Sequence, residues 1–157
     1  MIPLLRLADT LRRLVWRLFG PRTIGIRGLV VDEEGRVLLV RHTYGKPTWH
    51  LPGGGVKRRE SLVEALAREL REEVGVTITG PVRLHGTFSN MTEGKSDHIS
   101  VFVVDRWERH GADPSGSDAE IDAIARFAPD ALPEETSPGT RRRILEWSKG
   151  HVPPFEW

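Results

Sequence analysis

The stretch that most constrains how this chain can fold runs from Gly54 to Val76 and reads GGVKRRESLVEALARELREEVGV. It carries a helix with both ends written in. Ser61 followed by Glu64 is a capping box, in which hydroxyl and carboxylate each satisfy a free backbone N–H at the helix start. Leu62, Leu66, Leu70 and Val74 recur at four-residue steps and form one apolar stripe. Gly75 stands where a helix ends in a left-handed residue.

On this helix Glu69, Glu72 and Glu73 stand at i, i+3 and i+4, sharing an arc of roughly 100° beside the stripe. Exposed like charges so placed repel by about a few tenths of a kcal/mol per pair. Hard oxygen ligands at this density suit Mg²⁺ or Mn²⁺. Taken alone, the cluster also reads as a solvated acidic face paired with Arg68 and Arg71. The wider pattern separates the two readings. Gly54, Glu60, Arg68, Glu69, Leu70, Glu72, Glu73, Gly75 and Val76 fill every fixed position of G-x5-E-x7-R-E-U-x-E-E-x-G-U, where U is bulky and aliphatic. In this the chain resembles the Nudix hydrolase family, and Trp49–Val56 (WHLPGGGV) is similar to the family's lead-in.

The resemblance implies an α/β Nudix fold, a mixed β-sheet in an α/β/α sandwich. It implies hydrolysis of the diphosphate linkage in a nucleoside diphosphate linked to some group X, with Mg²⁺ or Mn²⁺ as cofactor. Glu69 and Glu73 fall at metal-ligand positions, with Glu72 direct or through water, and the Gly53 carbonyl is a further oxygen ligand by the same resemblance. Gly53, Gly54 and Gly55 let the backbone approach closely, because no Cβ intervenes. Arg68 and Glu60 support the site, the arginine orienting a ligand glutamate and Glu60 closing the loop against the helix. Arg41 falls where such enzymes place a substrate-contacting arginine, and Arg27 interrupts an apolar strand in a similar way. The general base is a box glutamate or a residue on a later loop, for which Glu120 and Glu93 are the candidates. The proline that marks many ADP-ribose pyrophosphatases and the tyrosine that marks dinucleoside polyphosphate hydrolases are both missing after the box, so neither subgroup is singled out.

The 157-residue chain suits one domain, 21–157, with residues 1–20 as an appendage. Leu4, Leu7, Leu11, Leu14 and Leu18 oppose Arg6, Arg13 and Arg17, giving a basic amphipathic helix. Arginines interrupt any signal-peptide core there, and docking on the domain or on a second subunit, as in a homodimer, is the expected role. TIGIRGLVV (23–31) and RVLLVRH (36–42) flank Asp32–Gly35 and read as a hairpin. Val76–Ser89, Asp97–Trp107 and Glu120–Phe127 read as strands, and Arg141–Ser148 as a last helix. A formal net charge of +1 gives no general case for nucleic acid. There is no cysteine, which fits a reducing cytoplasm and excludes a thiolate zinc site or cysteine nucleophile. No run of 18 apolar residues is present to span a membrane.

Two rivals stand beside a small-molecule substrate such as a nucleotide sugar or a modified nucleoside triphosphate. One is RNA 5′-end pyrophosphohydrolysis, which needs a basic track of the kind Arg12, Arg13, Arg17, Arg22 and the Arg141–Arg143 run could supply. The other is a non-catalytic nucleotide-sensing domain, although all box carboxylates are retained. Supporting groups of this kind change metal affinity or activity by ~10–100-fold. Glu60→Gln is therefore expected to lower kcat/KM less than Glu73→Gln, and comparable losses would refute the division of roles.

Overall fold

β1 (Thr23–Val30) is apolar on both faces: Ile26 and Val30 pack into one core, Leu29 and the following Val31 into another. A strand buried on both sides belongs in a layer covered above and below. The computed structural model shows that layer. The structure describes residues 23–43, 47–91, 97–110 and 121–157, so the segment 1–20, Glu93 and Glu120 lie outside it.

The further strands are β2 (Val37–His42), β3 (Trp49–His50), β4 (Val76–Ile78), β5 (Arg83–Asn90), β6 (Asp97–Val104), β7 (Trp107–Arg109) and β8 (Ile121–Phe127). The helices are α1 (Leu62–Val74) and α2 (Pro138–Lys149). Among the described residues the strands form three sheets, ordered β1-β6-β5, β3-β2-β8 and β4-β7. β1 runs parallel to β6, with Ile26 opposite Ser100, and the remaining pairs are antiparallel. Ala65, Leu66, Leu70 and Val74 of α1 close the core that holds Ile26, Leu38 and Val40. Ile144 of α2 closes the other, with Leu39, Leu51 and Phe88. The expected mixed α/β/α sandwich is therefore present.

Four expectations change. The pair 23–31 and 36–42 shares a turn, closed by Asp32 N–H to the Arg36 carbonyl (3.0 Å), but is not a continued hairpin. After one bridge between Val31 and Val37 the strands part into different sheets. The edge of β1 that β2 would have taken is filled by the glycine loop ahead of α1. Gly28 N–H donates to the Pro52 carbonyl (2.8 Å), Ile26 N–H to Gly54 (2.9 Å) and Val56 N–H to Ile24 (2.9 Å). Val76–Ser89 divides into β4 and β5 around Gly80-Pro81, since proline cannot donate to a ladder. Asp97–Trp107 likewise divides into β6 and β7. The last helix starts earlier than residue 141, at Pro138, with the Ser137 hydroxyl as its N-cap.

The tail after α2 returns to the outer edge of β5. Ser89 N–H donates to the Phe155 carbonyl (2.7 Å), and Trp157 N–H to Ser89 (3.1 Å). Arg143, fully buried on α2, donates to the Glu156 carbonyl (2.8 Å) and to Glu146 Oε1 (2.7 Å). Its guanidinium lies 3.9 Å from the Phe88 ring centroid and 5.8 Å from that of Trp157.

α1 is pressed onto β1: a Cβ placed on Gly28 would stand 2.9 Å from a methyl of Leu70. Leu70 is wholly buried. Leu70→Ala should destabilise the fold by about 2–5 kcal/mol through lost burial and an unfilled cavity, read as a lower midpoint in urea unfolding.

Candidate active site

The capping box expected at Ser61 and Glu64 is present in both directions, Ser61 N–H to Glu64 (2.8 Å) and Glu64 N–H to the Ser61 hydroxyl (3.2 Å). Gly75 closes α1 in the left-handed region at φ 65°. These two ends set the register that turns Arg68, Glu69, Glu72 and Glu73 towards the glycine loop and away from the core.

Arg68 is the hub of that surface. Its Nε and one terminal nitrogen hold both oxygens of Glu60 (2.7 and 2.9 Å), and that nitrogen also reaches the Gly55 carbonyl (3.0 Å). The other terminal nitrogen holds Glu69 Oε1 at 2.5 Å and lies 3.4 Å from Glu72 Oε2. Lys57 N–H adds a bond to Glu60 (2.8 Å). The Arg68 guanidinium, followed by this N–H, draws the Glu60 carboxyl down to a pKa of about 2. Glu60 and Glu69 in turn push the Arg68 pKa upward.

Gly53 carries the other half of the arrangement. Its N–H donates to Glu73 Oε2 at 2.7 Å, and its carbonyl accepts from the Arg27 guanidinium. Gly53 sits at φ +140°, where a Cβ would collide with the Ile26 carbonyl and the Arg27 backbone, so only glycine fits. A Cβ on Gly54 would meet the Glu69 carboxylate at 2.5 Å. The loop and the carboxylates of α1 are thus in direct apposition.

The structure accordingly brings together Gly53, Gly54, Glu60, Arg68, Glu69, Glu73 and Arg27. Glu72 stands at the rim, its side chain 53% exposed against 15% for Glu69. Arg41 is engaged elsewhere: it pairs with Asp122 (2.6 Å) and lies over Trp49, 5.2 Å from the ring centroid. Asp122 escaped sequence reasoning because it lies 81 residues from its partner. The roles of the Gly53 N–H and the Gly55 carbonyl were also missed. A glycine run announces close approach and says nothing of which backbone group points where.

The chain matches the NUDIX domain over residues 21–148. It belongs to the Nudix family. It is 30% identical over 131 residues to a MutT-like protein of Streptomyces ambofaciens, covering 83% of this chain and 80% of that one. An RNA pyrophosphohydrolase of Teredinibacter turnerae is 48% identical, but over 48 residues, 31% of this chain and 28% of that one. The fold resembles the crystal structure of a MutT NUDIX hydrolase from Burkholderia pseudomallei. There the TM-score is 0.70 at 23% identity, covering 80% of this chain and 97% of the other.

Nudix hydrolases generally need divalent metal ions. The donors here, the Glu69, Glu72 and Glu73 carboxylates and the Gly53 carbonyl, are hard oxygens of the right kind for such an ion. Their apposition across Gly54 fits it as well. Each of Glu69, Glu73 and Gly53 O accepts from an N–H group of the chain. No three ligating side chains converge on one point among the described residues. Carboxylates and carbonyls have further lone pairs beyond these bonds.

His50, on β3, faces the same region, its ring 6.0 Å from that of His42. Burial first, then the charges of Arg27 and His42, push its pKa from 6.5 down to about 4. The unfolded chain takes up this proton more readily, so the stability His50 contributes is complete above pH 6.5 and is lost as pH falls towards 4. In His50→Asn the urea midpoint should fall less steeply across that window than in the wild type. Equal slopes would contradict this placement.

Proposed function

We propose that this Nudix hydrolase cleaves the diphosphate linkage of a small-molecule nucleoside diphosphate linked to X, with Mg²⁺ or Mn²⁺. The observation that carries the reading is the loop–helix assembly in which Gly53, Glu69 and Glu73 present oxygen donors while Arg68 holds Glu60 and Glu69 in place. Glu69 and Glu73, with Glu72 and the Gly53 carbonyl, would hold the ion. When bound, a divalent ion supplies charge screening for the phosphate oxygens and a more acidic water. Arg68 fixes one oxygen of Glu69, and both oxygens of that carboxylate face Gly54. Glu60 fixes Arg68 through a two-point contact. Arg27 and Arg41 supply guanidinium groups suited to phosphate oxygens; for Arg41 that means exchanging Asp122 for substrate. Glu72, the most exposed of these carboxylates, and Glu120 are the proton acceptors we put forward.

The name of the Streptomyces relative, MutT-like, and that of the 8-oxo-dGTP diphosphatase of Buchnera aphidicola, 49% identical over 46 residues, support a free nucleotide as substrate. The RNA pyrophosphohydrolases support a 5′-phosphorylated RNA instead, over a similarly short match. Charge placement favours the former. Of the Arg141–Arg143 run, Arg143 is buried, Arg141 donates to the Pro133 carbonyl (2.6 Å) and Arg142 to the Trp157 carbonyl. Burial thus withdraws Arg143 from any basic track for an RNA backbone, while Arg12, Arg13, Arg17 and Arg22 lie outside the described residues.

The test is hydrolysis, with Mg²⁺ or Mn²⁺, of normal and oxidised nucleoside triphosphates, nucleotide sugars, ADP-ribose, dinucleoside polyphosphates and 5′-triphosphorylated RNA. One small-molecule class should be cleaved. Glu73→Gln should lose more than the ~10–100-fold characteristic of supporting residues. Selective cleavage of the RNA would replace this reading with the second one.

A further inference from the structure

The same Gly53 peptide unit is held from both sides. Its N–H donates to Glu73 and its carbonyl accepts from Arg27. It is held in place, because its neighbours Pro52 and Gly54 are hydrogen-bonded to β1 (2.8 and 2.9 Å) and a Cβ at its position would collide with Ile26 and Arg27. The carbonyl assigned above to the metal is thus already serving a cation, and that cation is a side chain of the neighbouring strand. A guanidinium and a divalent ion at one carbonyl repel each other across a short distance, and the repulsion is strong wherever water is partly excluded. The mobile partner is the arginine, whose long side chain can swing while the peptide stays pinned.

We propose that Arg27 is an internal stand-in cation: it occupies the Gly53 carbonyl when no divalent ion is bound, and the ion, on binding, releases the guanidinium to the diphosphate of the substrate. This rests on the metal-dependent reading given above and adds a coupling to it. Arg27 opposes the metal in the free protein and assists the substrate once the metal is in place. The two effects of removing it therefore have opposite signs. A neutral side chain at position 27 strengthens metal binding and weakens substrate binding, whereas loss of an arginine that merely braced the loop would weaken both. The Arg27–Gly53 contact is itself part-buried, which keeps that charge only partly in water.

The experiment is titration of Mn²⁺ into the wild type, Arg27→Met, Arg27→Gln and Arg27→Lys without substrate. Free Mn²⁺ is followed by electron paramagnetic resonance, with circular dichroism to confirm folding. Site-to-site couplings are commonly about 5–150-fold. Mn²⁺ should bind Arg27→Met and Arg27→Gln at least about fivefold more tightly than the wild type. Arg27→Lys, which keeps the charge, should return towards the wild-type value. KM for the cleaved substrate should rise in the two neutral variants. Two neutral variants are included so that a folding defect in one leaves the other to decide. Mn²⁺ affinity in a folded neutral variant equal to or weaker than the wild type overturns the stand-in role while leaving the metal-dependent reading intact. Failure of the wild type to bind Mn²⁺, with Glu73→Gln indistinguishable from it, overturns both.

Discussion

The fork of Arg68 is the contact on which the site depends. A helix that carries three glutamates within two turns has no reason of its own to press them against a backbone loop, since they repel each other and prefer water. Arg68 reverses that preference. One guanidinium takes both oxygens of Glu60, one oxygen of Glu69 and the Gly55 carbonyl, so the loop, the loop's end and the helix are tied at a single group. Arginine is suited to this by its planar donors and permanent charge, and a lysine could reach only part of the set. With its side chain 13% exposed, the pair with Glu60 is shielded enough from water to be more than a surface ion pair.

That tie works because the loop is itself anchored. Pro52 to Val56 is an irregular strand, bonded along the edge of β1 that β2 leaves free. The divergence of β1 and β2 is therefore part of the site's construction: had the two paired throughout, the glycine loop would have had no edge to join. α1 meets the same strand from the side, through Leu66 and Leu70 at Gly28. A displacement of β1 would be felt by the loop and the helix together.

The helix and its functional face could be read from the sequence because both are local. Capping residues, a four-residue apolar stripe and the spacing of Glu60, Arg68, Glu69 and Glu73 all lie within one short stretch. The family fold followed from the same stretch. What was not legible depends on distant pairing. The two β-rich segments in residues 23–42 suit a hairpin and two strands of different sheets equally well, and only the partners, β6, β8 and the glycine loop, separate the two. Arg41 looked poised for a ligand, yet its charge is balanced by Asp122 on β8. Arg27, which in the sequence only interrupts an apolar strand, is the one beside Gly53. The unbroken stretch from Val76 to Ser89 hid its break because Gly80-Pro81 also passes for an edge-strand irregularity.

The tail that lies along β5 has a consequence for where this domain stops. The family match ends at residue 148, within the last turn of α2. A chain cut at that boundary would lack the Glu156 carbonyl that receives Arg143 and the Trp157 ring beside it. Arg143 would be left in the interior with Glu146 as its remaining charged partner. The outer edge of β5 at Ser89 would also become an open template for pairing with another chain. For this protein, a shortened version drawn to the family limits would carry an aggregation-prone border that the tail now seals.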